Sequence, residues 1–337
     1  MAASSCVMPG SADPAATAEL RDRLLGVMTA LVTPFRRDGT VDLDALDDHV
    51  RYQIEHRVRV LVVCGTIGES PSLSVEEREQ ILQRVVSTAG DRALVLAGIS
   101  DGRLGTIADL ARHARQVGAH GFLVMTPPTF KLTDGEQLDF WTWLDEHMDL
   151  PFVVYSTPAT PSGLPSVALL ERVARLHHFA GIKEASPSVA RVHQLMRTFG
   201  GTVRIIAAVE APLPYMLLAG AAGLMTASAC FAPDVLWRVF DAASAGDVPR
   251  LLDAFAPIPR IRDLFQPRMD AGYPSYIPFT KAACDLIGLR SGDPRPPLAP
   301  ITPDERRTLA TVLRDELDTP TTDGGTAQGA ETPAKAR

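Results

Sequence analysis

Residues 60–97, VLVVCGTIGESPSLSVEEREQILQRVVSTAGDRALVLA, contain the pattern that decides the fold of this chain. A run of β-branched and aliphatic residues at 60–63 is followed by a helical stretch and then by a second such run at 93–97. Ser74 and Glu77 form the S-x-x-E capping box that begins helices, and apolar residues follow at helical spacing. A strand, a helix and another strand in this order predict one unit of a parallel sheet.

The same alternation runs through most of the chain. Eight short β-branched or aliphatic runs occur, and each is followed by a helical stretch. The runs are residues 27–31, 60–63, 93–97, 121–125, 152–155, 179–183, 203–207 and 223–227. Eight such units close into a barrel rather than an open doubly wound sheet, and no G-x-G-x-x-G or P-loop motif competes with that interpretation. The sequence therefore predicts an α/β fold, a (β/α)8 TIM barrel with a C-terminal α-helical extension.

Amphipathic stretches place the helices and divide the chain. Helices are predicted at residues 104–117, 134–148, 166–176, 187–199, 211–220, 233–243, 248–264 and 278–289. The last two follow the eighth unit and form the extension. Small and polar residues dominate both ends, which predicts disordered tails. The predicted parts are a tail at 1–20, the barrel at 21–244, the helical extension at 245–317 and a second tail at 318–337.

Composition excludes several classes of protein. The chain has 337 residues, of which 46% are hydrophobic and 22% charged, and a net charge of −7 with no basic run argues against nucleic-acid binding. Four widely spaced cysteines without a C-x-x-C motif favour a reducing cytosol. The first 20 residues contain no Lys or Arg, so we expect no signal peptide and a cytoplasmic location. Residues 211–233 carry no charge, but their prolines and glycines predict a helix, a turn and a strand rather than a membrane span.

Reacting groups in this fold lie where strands end. Lys183 ends the sixth run. A lysine at a strand end is usually a surface charge, and Lys183 could form an ion pair with the adjacent Glu184. If Lys183 instead points into an apolar barrel mouth, the pKa of its ammonium falls, as an amine nucleophile requires. Tyr155 ends the fifth run and is either a packed aromatic or a proton shuttle. Thr66, in a glycine-bounded turn, either marks only that turn or helps to hold a carboxylate. The eight histidines fall on predicted helices and connecting turns, so no metal site is expected.

Five motifs in order, between about residues 24 and 290, resemble the family of dihydrodipicolinate synthase and N-acetylneuraminate lyase. They are Gly26-x-x-x-Ala30-x-x-Thr33-Pro34-Phe35, Gly65-Thr66-Ile67-Gly68-Glu69-Ser70, Thr126-Pro127-Pro128, Tyr155-Ser156-Thr157-Pro158 and Gly181-Ile182-Lys183-Glu184-Ala185-Ser186. These enzymes form a Schiff base with pyruvate and other 2-oxo acids. The resemblance implies an imine on Lys183 as the electron sink, with Tyr155 relaying protons and no cofactor beyond the covalent imine.

The resemblance also implies the substrate-binding residues. Thr66 and the backbone N–H of Ile67 would hold the carboxylate, and Thr33 would line the same mouth. Glu210, at the end of the seventh strand, occupies the place of a family acidic residue that can bind the aldehyde half; a helix N-terminal charge is the alternative. Thr226, in the eighth run, is a further candidate for substrate binding.

The chain departs from the family pattern at several positions. The family usually has Thr or Ser at Ile67, and in the synthase that hydroxyl belongs to a relay with the catalytic tyrosine and a tyrosine of a neighbouring subunit, whose place Thr129 takes here. No arginine follows Tyr155 within residues 155–163 to bind the second carboxylate. The synthase's role in lysine biosynthesis is therefore disfavoured. The residues Ile67, Thr129, Phe130 and Thr160 predict a less polar acceptor pocket.

Three functions follow as hypotheses. The first is a metal-independent class I aldolase or lyase that joins or cleaves a 2-oxo acid, with pyruvate as the first candidate, and an aldehyde. The second is a Schiff-base dehydratase or hydratase of a hydroxylated 2-oxo acid. The third is a barrel that binds 2-oxo acids without turnover. The resemblance also favours a homo-oligomer, a tetramer or dimer, with no membrane or nucleic-acid partner.

Overall fold

The computed structural model describes residues 14–272 and 276–317 and is built around one parallel sheet. Its strands are β1 (Gly26–Val27), β2 (Thr29–Ala30), β3 (Val60–Val63), β4 (Leu94–Gly98), β5 (Gly121–Val124), β6 (Phe152–Ser156), β7 (Phe179–Glu184), β8 (Arg204–Ala207) and β9 (Gly223–Leu224). The sheet order is β1-β9-β8-β7-β6-β5-β4-β3-β2.

One short segment closes this sheet into a barrel. Only Met28 separates β1 from β2, yet β1 pairs with β9 and β2 pairs with β3, so the two ends of the sheet are consecutive in the chain. At the seam Gly223 lies opposite Gly26, and a Cβ atom on Gly223 would overlap the carbonyl oxygen of Gly26. Glycine is required there because two backbones approach closely. The predicted TIM barrel with its helical extension is confirmed.

Helices surround the barrel and continue past it. Those of the barrel are α1 (Pro14–Arg23), α2 (Leu43–Glu55), α3 (Val75–Ala89), α4 (Leu104–Gln116), α5 (Asp134–His147), α6 (Val167–Val173), α7 (Val189–Phe199), α8 (Leu213–Leu218) and α9 (Pro233–Ser244). The extension comprises α10 (Val248–Phe255), α11 (Pro257–Asp270), α12 (Tyr276–Leu286) and α13 (Pro303–Leu317). The capping box at Ser74 and Glu77 is present, each side chain bonding the backbone N–H of the other residue.

The structure corrects the expected N-terminal tail. Residues 14–20 belong to α1 rather than to a disordered segment, because tertiary contacts hold a sequence that is poor in large apolar groups. Leu20 is buried, and the Arg21 guanidinium donates to the carbonyl of Phe179 at 3.0 Å. The expected disorder of residues 1–13 and 318–337 lies outside the described residues.

The extension also differs from its predicted helices. One helix was expected over 248–264, but the chain forms α10 and then α11, which begins at Pro257. Proline cannot donate the backbone hydrogen bond that would continue the first helix. The segment 211–233 divides into α8, β9 and a short 3-10 turn at Ala227–Cys230. Across residues 14–272 and 276–317, no helix is long and apolar enough to cross a bilayer.

A buried ion pair fastens the extension to the barrel. Lys281 of α12 is 1% exposed, and its ammonium donates to Glu69 Oε1 at 2.9 Å and to the carbonyls of Thr33 and Asp293 at 2.9 and 3.1 Å. The second oxygen of Glu69 accepts from the backbone N–H of Arg295 at 2.9 Å. Glu69 lies in the turn after β3 with a left-handed φ of 57°, a conformation that a non-glycine residue keeps only where its surroundings fix it. Both parts of the molecule therefore meet at this carboxylate.

Replacing Lys281 by methionine should lower the free energy of unfolding by about 3–5 kcal/mol, because the buried Glu69 carboxylate loses its countercharge. Urea unfolding followed by circular dichroism measures the change. The double variant Glu69→Gln/Lys281→Met should recover more than half of the loss, since it leaves no buried charge unpaired. A Lys281→Met protein within about 1 kcal/mol of the wild type would contradict this role.

Candidate active site

Lys183 and Tyr155 lie side by side inside the barrel. The parallel pairing of β6 and β7 sets Tyr155 opposite Lys183, and the Lys183 ammonium lies 4.3 Å from the centre of the Tyr155 ring. Directly paired residues of neighbouring strands point to the same side of the sheet. Both side chains are therefore directed into the barrel mouth, where the chemistry of this fold takes place.

The next pair of residues along the same strands points outward, and its carboxylate is bound on that side of the sheet. Ser156 lies opposite Glu184, which is fully buried, and both accept hydrogen bonds from Arg191 of α7. The Arg191 guanidinium reaches the two Glu184 oxygens at 3.1 and 3.3 Å. Strand alternation thus separates Lys183 from the acidic residue beside it in sequence. The interpretation of Lys183 as half of a surface ion pair with Glu184 is wrong.

Burial changes the acid–base chemistry of Lys183. The residue is 7% exposed, and within residues 14–272 and 276–317 no carboxylate lies within ion-pair distance of its ammonium. Loss of hydration disfavours the charged form and lowers the pKa of Lys183 to about 8. With that pKa, about one amine in ten is uncharged at pH 7, compared with roughly one in several thousand for an ordinary lysine. The structure therefore gives Lys183 the free amine that a nucleophile needs.

Tyr155 is surrounded by hydroxyl groups. Burial raises the pKa of its phenol, while hydrogen bonding with the hydroxyls of Thr157 and Thr66 acts in the opposite direction. A further phenol, that of Tyr276 at the start of α12, lies close enough for Tyr155 to raise its pKa in addition to the larger effect of burial. Ile67 cannot pass a proton, but Thr66 and Thr157 supply hydroxyls at Tyr155. Sequence reasoning did not identify Thr157 or Tyr276.

The turn after β3 holds Thr66 and Ile67 in place at the mouth. The backbone N–H of Glu69 donates to the carbonyl of Thr66 at 3.0 Å, which folds the turn back on itself. Thr33 supports the turn, because its hydroxyl donates to the carbonyl of Gly68 at 2.7 Å. Thr33 was expected to line the mouth, but its hydroxyl donates to Gly68 and the residue is not part of the cavity wall. Its place in the structure is that of a support for the Thr66 turn.

These groups open into one cavity of about 380 Å³. That volume lies within the ~300–1,000 Å³ typical of small-molecule sites. The sequence-predicted residues on its wall are Lys183, Tyr155, Thr66, Ile67, Glu210 and Thr226. The Glu210 carboxylate accepts from the Ser228 hydroxyl at 3.1 Å. The Thr226 hydroxyl is buried and has no hydrogen-bond partner in the described part of the chain.

Helix α11 of the extension forms the side of the cavity that sequence reasoning missed. Arg262, Phe265, Gln266 and Met269 line the wall at positions i, i+3, i+4 and i+7, which is one face of a helix. The expected less polar acceptor pocket is therefore only partly present. Ile67 lies on the wall, whereas Thr129, Phe130 and Thr160 do not, and Arg262 adds a positive charge.

The chain is similar to known proteins over most of its length. A family model described as the dihydrodipicolinate synthetase family matches residues 23–316. The 4-hydroxy-tetrahydrodipicolinate synthase of Kineococcus radiotolerans is 34% identical over 305 residues, which cover 89% of this chain and 96% of that protein.

Solved structures agree with the family match. Dihydrodipicolinate synthase from Aquifex aeolicus superposes with a TM-score of 0.81 and 25% identity, covering 89% of this chain and all of that one. YagE, a prophage protein of the dihydrodipicolinic acid synthase family from E. coli K12 in complex with pyruvate, has a TM-score of 0.79 and 26% identity. The superposed residues cover 86% of this chain and 97% of YagE.

The lowered pKa of Lys183 predicts a distinct pH dependence of its reactivity. The rate at which trace acetic anhydride acetylates Lys183 should rise about tenfold for each pH unit up to pH 8 and should level off above pH 8, because only the free amine reacts. Mass spectrometry of the Lys183 peptide measures the rate, and Nα-acetyl-lysine in the same tube is the reference. A Lys183 rate that goes on rising with the reference to pH 10 would show an ordinary, hydrated ammonium.

Proposed function

Because this chain belongs to the dihydrodipicolinate synthetase family, we propose that it is a Schiff-base class I aldolase or lyase that joins or cleaves pyruvate and an aldehyde. The observation that carries the proposal is the buried Lys183, which faces Tyr155 in a cavity of about 380 Å³ and has no ion-pair partner among the described residues. The pyruvate complex of YagE supports pyruvate as the 2-oxo acid.

The reaction begins with a covalent step at Lys183. Its free amine attacks the carbonyl carbon of pyruvate, and water leaves to give an imine, which is protonated on nitrogen. The positive nitrogen draws electrons from the neighbouring C–H bond, so loss of one methyl proton gives an enamine. The enamine carbon then attacks the aldehyde carbon, whose oxygen takes up a proton. Hydrolysis of the new imine releases the product and restores the amine, and cleavage follows the same steps in reverse.

The carboxylate of pyruvate would be held at the turn after β3. The Thr66 hydroxyl and the backbone N–H of Ile67 are hydrogen-bond donors at the cavity wall, and a turn of this kind forms a site for small anions. Thr226 adds a hydroxyl without a competing partner in the described residues. Holding the carboxylate fixes the carbonyl carbon near Lys183, which lowers the entropy cost of the attack.

Tyr155 would move the protons that these steps require. Its phenol is beside both Lys183 and the hydroxyl of Thr66, so one group can serve imine formation and the aldehyde oxygen in turn. Tyr276 supplies a second phenol from the same chain, where the family relay draws a tyrosine from a neighbouring subunit. In the proposed relay, Tyr276 therefore takes the place of the family tyrosine that Thr129 replaces.

We place this reaction in the cytoplasm, in a homo-oligomer. Cys64, Cys230 and Cys284 are free and buried, which fits a reducing compartment. The family resemblance supports assembly into dimers or tetramers.

Treatment with pyruvate and borohydride should label the protein at Lys183. Reduction of the imine adds the mass of pyruvate less one oxygen atom, and peptide mass spectrometry locates the adduct. Lys183→Ala should give no adduct, whereas the control Lys131→Ala, at an exposed lysine, should be labelled like the wild type.

Product analysis separates the proposal from its alternatives. Turnover of an aldol adduct should release pyruvate and an aldehyde, and a product of unchanged carbon number would instead identify a dehydratase or hydratase. Failure of pyruvate and other 2-oxo acids to form any adduct would identify a barrel without Schiff-base chemistry.

Tyr155→Phe should lower the turnover number roughly 100-fold or more, because general acid–base catalysis by a positioned group contributes on that scale. Tyr276→Phe should lower it by a smaller factor, since Thr66 and Thr157 still contact the Tyr155 phenol. Steady-state kinetics measures both, with Tyr215→Phe, whose phenol bonds His193 at 3.0 Å, as the control. Unchanged turnover in Tyr155→Phe would exclude the relay, and unchanged turnover in Tyr276→Phe would exclude the second phenol from it.

A further inference from the structure

Arg262 of α11 lines the cavity wall with part of its guanidinium unsatisfied. The side chain is 29% exposed, and its Nε is buried with no hydrogen-bond partner in the part of the chain that the structure describes. The only carboxylate near it there is that of Asp263, 3.8 Å from Nη2, and Asp263 is itself 68% exposed. Such a pair in water contributes little, and a buried Nε–H without an acceptor is unfavourable.

Other arginines of this chain that are buried or partly buried have acceptors for their terminal nitrogens. Arg78, 5% exposed, donates from Nη2 to the carbonyls of Gly98 and Ser100, although its Nε, like that of Arg262, has no partner in the described residues. Arg191 and Arg295 each bond both oxygens of a glutamate. An arginine in a cavity wall without such acceptors has its donors available to a ligand. Its planar fork of N–H groups matches the two oxygens of a carboxylate.

The charges that face Arg262 leave room for an anion. Among the described residues of the cavity wall, the other charged side chains are Lys183 and Glu210. Within residues 14–272 and 276–317, Glu210 forms no ion pair with Arg262, and its Oε1 is bonded to the Ser228 hydroxyl. Lys183 carries a positive charge in the protonated imine, which does not oppose a second carboxylate. Phe265 and Met269, on the same face of α11, supply apolar wall for the carbon chain between the two ends of a substrate.

The cavity is larger than pyruvate requires. At about 30 Å³ for each heavy atom, the share that a water molecule takes in the liquid, the six heavy atoms of pyruvate fill at most half of the 380 Å³. The remainder leaves room for the second part of the substrate. Residues 155–163 contain no arginine, and among the described residues of the cavity wall Arg262 is the one arginine.

We propose that Arg262 binds a carboxylate on the part of the substrate that does not form the imine, so that the acceptor is an aldehyde acid rather than a neutral aldehyde. This inference rests on the proposed function, since it assumes that a 2-oxo acid is bound to Lys183. It assigns substrate selection to the helical extension and bond making to the barrel.

Borohydride trapping of longer 2-oxo acids tests this directly. The probes are 2-oxoglutarate and 2-oxoadipate, each compared with the acid of equal length that lacks the distal carboxylate, 2-oxopentanoate and 2-oxohexanoate. In the wild type, the concentration that gives half-maximal labelling of Lys183 should be about ten- to a hundredfold lower for at least one dicarboxylate than for the monocarboxylate of equal length. Arg262→Met should abolish that preference and Arg262→Lys should keep part of it. Both variants should trap pyruvate as the wild type does.

The control is Arg238→Met, at an exposed arginine of α9 outside the cavity wall, which should retain the full preference. Equal labelling by both members of each pair in the wild type would overturn the inference without any variant, as would a preference that survives in Arg262→Met. Loss of pyruvate trapping in a folded Arg262→Met protein would also overturn it, because Arg262 would then act on Lys183. Absence of every adduct in the wild type, including that of pyruvate, would overturn the proposed function itself.

Discussion

The buried ion pair between Lys281 and Glu69 holds the two halves of the site together. Glu69 belongs to the turn that carries Thr66, and Lys281 belongs to the helix whose first residue is Tyr276. A contact of 2.9 Å therefore fixes the carboxylate-binding turn of the barrel relative to the extension. Because both charges are removed from water, neither can leave without a large free-energy cost, and the barrel and the extension keep one relative position.

Two buried lysines of this chain show how partners decide the behaviour of one residue type. Lys281 has a carboxylate and two carbonyls as acceptors, and the effect of Glu69 opposes the fall in its pKa that burial causes. Lys183 is also buried but has no carboxylate within ion-pair distance in the described residues, and its pKa falls to about 8. The neighbouring Glu184 is held by Arg191 on the other side of the sheet. The acceptors that the fold provides thus make Lys281 a structural cation, whereas their absence around Lys183 in the described part of the chain leaves an amine suited to act as a nucleophile.

The sequence predicted the parts of the molecule that depend on local patterns. Eight β-branched runs indicated the barrel, and strand ends indicated Lys183 and Tyr155, because alternation and strand position are properties of a few consecutive residues. Arg262 and Tyr276 were missed because they lie on helices far along the chain, and helical periodicity does not tell which element a helix packs against. Residues 14–20 were missed for a similar reason, since α1 is held by contacts with distant strands. Thr33 was placed on the correct side of the barrel, but only coordinates reveal that its hydroxyl is bonded to Gly68.

Helix α11 comes from outside the eight strand–helix units, yet it forms one wall of the cavity. A substitution on its inner face changes what the cavity admits while the strands that carry the amine and the phenol keep their register. Evolution can therefore alter substrate choice in this chain through one surface helix, under few of the packing constraints that limit change inside a closed barrel.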